Sequence, residues 1–127
     1  PTESYLDKHH ATAFGRYKTI PESNHVPYLK PQENGSHYGC REVKVANSAD
    51  CFIVQSHVPF SMNVSPYSQE ELGSKKHQYD LEKSGSTILC VDYKMSGVGS
   101  NSCGPVLKEQ YRLNETEWDW SISLQIN

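Results

Sequence analysis

Six histidines are the first residues of this 127-residue sequence whose chemistry invites a site, because a neutral imidazole ligates metals and moves protons near neutral pH. His9 and His10 are adjacent, with Asp7 two residues ahead of His9. Adjacent side chains of an extended segment point to opposite faces, so this trio reaches one ion only through a turn. His25, His37, His57 and His77 are scattered without ligand spacing, and solvated or hydrogen-bonded imidazoles are the simpler expectation. No metal ligand is assigned. Acid–base work by paired carboxylates needs two carboxyl groups roughly 5–10 Å apart in a cleft. Glu70 and Glu71 are neighbours in a predicted helical turn and read as a solvated face. Glu3 with Asp7, or Glu33 with Glu42, would have to be brought together by the fold. The sequence holds no G-x-S-x-G, H-E-x-x-H or P-loop pattern, so no catalytic residue is assigned.

Two loops remain as places for contacts. Pro31 to Glu42, PQENGSHYGCRE, gathers polar side chains around Asn34-Gly35, a tight-turn pair. Gly97 to Pro105, GVGSNSCGP, spaces glycines that let backbone approach a ligand or a neighbour closely. No helix is predicted after it, so it is not a dinucleotide fingerprint. Cysteines at 40, 51, 90 and 103 would allow two disulfides, but no C-x-x-C pair occurs and cysteine is sparse. Thiols in a reducing compartment are expected. Sequons at Asn34, Asn63 and Asn114 hint weakly at secretion and are discounted.

The elements that must position these residues are short strands. Residues 1–36 show no sustained periodicity and carry Pro1, Pro21, Pro27 and Pro31 between the aromatics Tyr5, Phe14, Tyr17 and Tyr28. They read as an extended irregular arm laid on another surface. Farther on, Val58, Phe60, Met62 and Val64 share one face against Pro59, Ser61 and Asn63. At the C-terminus Trp118, Trp120, Ile122, Leu124 and Ile126 alternate with Asp119, Ser121, Ser123 and Gln125, which predicts a strand with an inward apolar face. Ile88 to Tyr93 and Cys51 to Val54 read as strands covered on both sides. Ser68 with Glu71 forms a capping box, and Gly73 ends that turn. The expected fold is all-β, an antiparallel β-sandwich over residues 37–127 preceded by the arm.

Composition narrows the partners. Twelve Lys and Arg against 15 Asp and Glu leave no basic cluster for phosphates, which disfavours nucleic acid. No run of 18 apolar residues exists to span a membrane. The apolar fraction of 35% and mean hydropathy of −0.70 imply a thin core for a folded chain. Together with a start at Pro1, they suggest a piece cut from something longer.

Four segments, PTESYLDKH (Pro1 to His9), VPYLKPQENGSHYGCRE (Val26 to Glu42), SPYSQEEL (Ser65 to Leu72) and GVGSNSCGP (Gly97 to Pro105), carry a resemblance that covers nearly the whole chain. In order and spacing it is similar to the C-terminal domain of the large LacZ-type β-galactosidases of glycoside hydrolase family 2. The resemblance implies a retaining hydrolase of terminal β-galactosides such as lactose, working through two glutamates in an upstream TIM barrel where magnesium and sodium also bind. It implies that this chain is the later half of a galactose-mutarotase-like supersandwich, has no counterpart of the catalytic glutamates and is inactive alone. It further implies a cytoplasmic homo-oligomer and, as partners, the remaining parent domains and the sugar.

Within that family the loop matching Gly97 to Pro105 reaches the active site, and the resemblance therefore places Ser100, Asn101, Ser102 and Cys103 near the acceptor sugar. Cys103 stands where the best-known member has a tryptophan beneath the leaving-group sugar, and a thiol has no flat apolar face to stack there. An independent carbohydrate-binding β-sandwich module is the alternative. An aldose epimerase, suggested only by the shared fold, would need a His and a Glu facing a sugar.

Overall fold

The computed structural model describes residues 3–97 and 103–127. The architecture is antiparallel all-β and sandwich-like, with few helical residues. Its four strands are β1 (His37–Ala46), β2 (Cys51–Ser65), β3 (Ile88–Asp92) and β4 (Ser123–Ile126). The long β2 is the axis: β1 runs along one side of it, while β4 lies beside Phe52–Gln55 and β3 beside Ser61–Ser65 on the other. Every pairing among the described strands is antiparallel.

Two irregularities in the β1–β2 ladder redirect side chains. Cys40 pairs with Phe60 and Glu42 with Gln55, so Ser56, His57, Val58 and Pro59 together oppose Arg41 alone. Pro59 has no N–H to give a ladder and falls in this bulge. The bulge overturns the expectation that Val58 points inward with Phe60: Val58 is 44% exposed, whereas Phe60 is 1% exposed. The second slip lies between His37 and Cys40, where Gly39 has φ +72, a left-handed value that glycine alone adopts cheaply.

The core is small. Val43, Val54 and Phe60 form its buried centre, with Met62, Leu89, Val91 and Trp120 packed around them. Trp120 lies tilted on Phe60 at 6.3 Å between ring centres and donates its indole N–H to Ser56 Oγ at 3.1 Å. On the other face of β2, Ser61 and Asn63 are buried, and Asn63 donates to Glu33 of the arm at 3.1 Å. The C-terminal prediction needs correcting on two points. Only Ser123–Ile126 pairs as a strand, and Leu124 and Ile126 stay 56% and 79% exposed, because no described residue forms a layer over them.

The arm is less irregular than its prolines suggest. It contains a 3-10 turn at Leu6–Ala11 and the helical turn α1 (Pro21–Asn24), where Pro21 occupies the first helical position that tolerates it. The helix α2 (Gln69–Ser74) starts as predicted, with Ser68 Oγ accepting the Glu71 N–H at 3.1 Å, but extends one residue past Gly73. Glu71 does not close the box. Its carboxylate accepts the Glu82 N–H at 2.8 Å and pairs with Lys75 at 3.4 Å. Cys40, Cys51 and Cys90 are half-buried free thiols and Cys103 is exposed. The sequons at Asn34 and Asn63 are buried, so only Asn114 is accessible.

Candidate functional site

The arm begins with a clasp around one carboxylate. Glu3 Oε2 accepts the Tyr5 hydroxyl at 3.3 Å and the Gly35 N–H at 3.1 Å, while Oε1 accepts the Tyr28 hydroxyl. The hydrogen bond to Glu3, with burial, pushes the Tyr28 phenol up to about 12. Burial first, then the Glu3 charge, raises Tyr5 above its ordinary value as well. The predicted Asn34-Gly35 turn is the clasp's other half. Asn34 Oδ1 accepts the Val26 N–H at 2.8 Å, and its amide donates to the Gln32 carbonyl at 2.8 Å. Gly35 has φ +73, and a Cβ there would stand 2.6 Å from the Asn24 carbonyl oxygen.

From this clasp the Leu6–Ala11 turn is tied down at both ends. Ser4 donates its N–H to the Ser36 carbonyl at 2.7 Å and accepts the Tyr38 N–H on Oγ at 3.4 Å. Thr12 Oγ1 shares a 3.1 Å hydrogen bond with the Tyr38 hydroxyl. Asp7, inside this turn, faces Gly97 at the start of the glycine-spaced loop. A Cβ on Gly97 would stand 3.2 Å from Asp7 Oδ1. Of the four loop residues assigned to the acceptor sugar, Ser100, Asn101 and Ser102 lie outside the described residues, and Cys103 is exposed.

A polar patch that the sequence reading missed lies at the junction of arm and β3. Ser61 pairs with Asp92 and Asn63 with Cys90, so all four point to the face that Glu33 crosses. Asp92 Oδ2 is buried without a hydrogen-bond partner. Burial and the Glu33 charge hold the Asp92 carboxyl above the usual carboxylate range, and burial raises the Cys90 thiol. Only the β2–β3 register could have signalled this cluster, and register is not visible in the alternation of a five-residue strand.

The carboxylate pairs considered from sequence do not form acid–base pairs. Glu42 accepts Gln55 across the ladder at 2.6 Å while Glu33 accepts Asn63. Glu3 serves the clasp, and Asp7 lies beside Gly97 rather than with Glu3. Among the described residues no three His, Cys, Asp or Glu side chains gather to hold a metal. His25 shares a 2.9 Å hydrogen bond with Gln78 Oε1, His37 one with the Gly35 carbonyl, also at 2.9 Å, and His77 stacks on Tyr79. An open groove of about 640 Å³ crosses the β2 bulge between Arg41, Glu42, His57 and Ile122. Trp118, which does not line this groove, is 62% exposed and stacks on Tyr93 at 6.1 Å. No helix among the described residues is long and apolar enough to cross a membrane. The described carboxylates and imidazoles named here serve hydrogen bonds within the arm and the sheet.

A family model described as the β-galactosidase small chain matches residues 1–126. The β-galactosidase of Actinobacillus pleuropneumoniae is 58% identical over 116 residues, covering 91% of this chain and 11% of its own length. That of Staphylococcus xylosus is 38% identical over 125 residues, 98% of this chain and 13% of its own. That of Kluyveromyces lactis is 33% identical over 127 residues, 98% of this chain and 12% of its own. The chain thus spans 11–13% of the length of these relatives.

Proposed function

We propose, from the premise that this chain belongs to the β-galactosidase small-chain family, that it is a non-catalytic part of a larger β-galactosidase. The observation that carries the reading is the family match over residues 1–126 together with coverage of only 11–13% of each relative. The whole enzyme hydrolyses terminal β-galactosides, lactose among them, with retention, through carboxylates supplied outside this chain. Magnesium and sodium act there too, and the described side chains here do not fit a metal centre. The enzyme works in the cytoplasm as a homo-oligomer.

This chain's contribution is the loop from Gly97 to Pro105 at the rim of the acceptor site, with Ser100, Asn101, Ser102 and Cys103 as its contact groups. A thiol at position 103 provides less stacking area than an aromatic, so the acceptor sugar is held weakly. The arm and the open face of β4 meet the remaining parent domains, a reading supported by the exposure of Phe14, Tyr17, Leu124 and Ile126. Assay of the purified 127 residues on a chromogenic β-galactoside tests the proposal. No turnover is expected, and hydrolysis by the pure chain would refute it.

One observation favours a second reading, an independent carbohydrate-binding module. Trp118 is 62% exposed, as a sugar platform would be. Calorimetric titration of the isolated chain with galactose and lactose separates the two readings. Binding at millimolar strength or better supports the module, and an absence of heat supports the enzyme part.

A further inference from the structure

The arm changes character after Thr12. From Ala13 to Ile20 every residue is exposed, Phe14 by 91%, Tyr17 by 73% and Ile20 by 60%. Backbone hydrogen bonding stops there as well. Thr12 before it and Ser23 after it donate their N–H groups, but no described residue accepts an N–H from positions 13–20. The side-chain bonds of the segment are local, from the Tyr17 hydroxyl to the Ala13 carbonyl at 2.6 Å and from the Thr19 hydroxyl to the Ile20 carbonyl at 3.3 Å. Both ends are anchored, by Thr12 on the Tyr38 hydroxyl and by α1 lying against β2. A tethered, extended stretch with large apolar side chains and open amides has the make-up of a contact surface.

Charge identifies what it meets. In a chain of net charge −3, the residues from Lys8 to Ile20 include Lys8, Arg16 and Lys18 and no Asp or Glu. Arg16 and Lys18 stand between the apolar side chains and form no ion pair with any described residue. We propose that residues 13–20 dock as a basic, aromatic strap on an acidic surface of the parent enzyme outside this chain, with Phe14, Tyr17 and Ile20 seated between its carboxylates. The proposal rests on the reading of this chain as part of a larger β-galactosidase, and it names the chemistry of the surface that the arm meets. Opposite charge selects the partner and the apolar side chains hold it.

Hydrogen exchange of the full-length parent enzyme, read by mass spectrometry on peptides covering residues 13–20, tests it. The segment should exchange about tenfold or more slowly than the same peptide free in solution, because docking covers amides that the described residues leave open. About 1 M salt, where the Debye length is about 3 Å, should remove most of that protection. Arg16→Glu with Lys18→Glu should do the same, since like charges would then face each other. Phe14→Ala with Tyr17→Ala should lower it through lost apolar contact. Lys44→Glu with Lys76→Glu, which reverses exposed cations elsewhere, should leave it in place. Exchange at the free-peptide rate overturns the proposal. Protection that survives both salt and the reversal of Arg16 and Lys18 overturns it too, as an uncharged surface, and protection that rises with enzyme concentration overturns it as a second copy. The enzyme-part reading fails separately, through turnover by the pure chain; an active parent with an unprotected segment loses only the docking.

Discussion

Removing the Glu3 carboxylate leaves the Tyr5 and Tyr28 hydroxyls and the Gly35 N–H to find other acceptors in a half-buried site. Hydrogen bonds to a charged group contribute about 1.5–3 kcal/mol, so Glu3→Ala should destabilise the chain by about 2–3 kcal/mol in a urea titration read by tryptophan fluorescence. The same clasp sets an alkaline limit. Tyr28 ionises near 12 in the folded chain against an ordinary 10, so its contribution is intact below pH 10 and is lost as pH rises towards 12. Ultraviolet titration of phenolate should find Tyr28 among the last tyrosines to ionise, and Glu3→Ala should bring it back towards 10. Asp92 has the opposite economy among carboxylates. Its raised pKa means that ionisation at neutral pH costs stability, so Asp92→Asn should raise the thermal midpoint at pH 7, with the gain shrinking on acidification. At this scale the sequence showed the histidines but not their partners, such as Gln78 for His25 and the Gly35 carbonyl for His37. It could not expose the Glu3 clasp, because Tyr28 and Gly35 are joined to Glu3 only by folding of the arm.

The strands obey alternation until a proline or glycine interrupts it. Phe60, Met62 and Val64 were legible as one face because that stretch of β2 pairs regularly with β3; Val58 was not, because the excess of residues opposite Arg41 resets the phase. The Asn34-Gly35 turn was legible because both residues have turn chemistry of their own. Two of the three left-handed glycines among the described residues, Gly35 and Gly39, separate strain from crowding. Gly39→Ala meets nothing within 4 Å and should cost only the left-handed penalty, about 1–2 kcal/mol. Gly35→Ala adds a 2.6 Å collision with the Asn24 carbonyl and should cost more, about 3 kcal/mol or above, in the same urea titration. Equal costs would mean that the backbone around Asn24 gives way. The cap of α2 was legible from Ser68, whereas the diversion of Glu71 to Glu82 and Lys75 was not, since its partners come from beyond the helix or compete within it.

As a whole molecule the chain is a sheet with one small core and one uncovered apolar margin. Trp118, Ile122, Leu124 and Ile126 were predicted to face inward along one strand; only Leu124 and Ile126 lie on β4, and all four are exposed among the described residues. Apolar sheet surface and open strand edges left in water tend to pair with another copy. The isolated chain should therefore associate, and light scattering should show a mass that rises with concentration. A constant monomer would mean that β4 is protected in a way its exposure does not suggest. The central claim is that these residues complete an enzyme whose chemistry lies elsewhere. The most direct measurement takes the parent enzyme lacking residues 1–127 and assays β-galactoside hydrolysis before and after adding the purified chain. The account predicts little activity from either part alone and recovery on mixing; full activity of the truncated parent, or turnover by the chain alone, would contradict it.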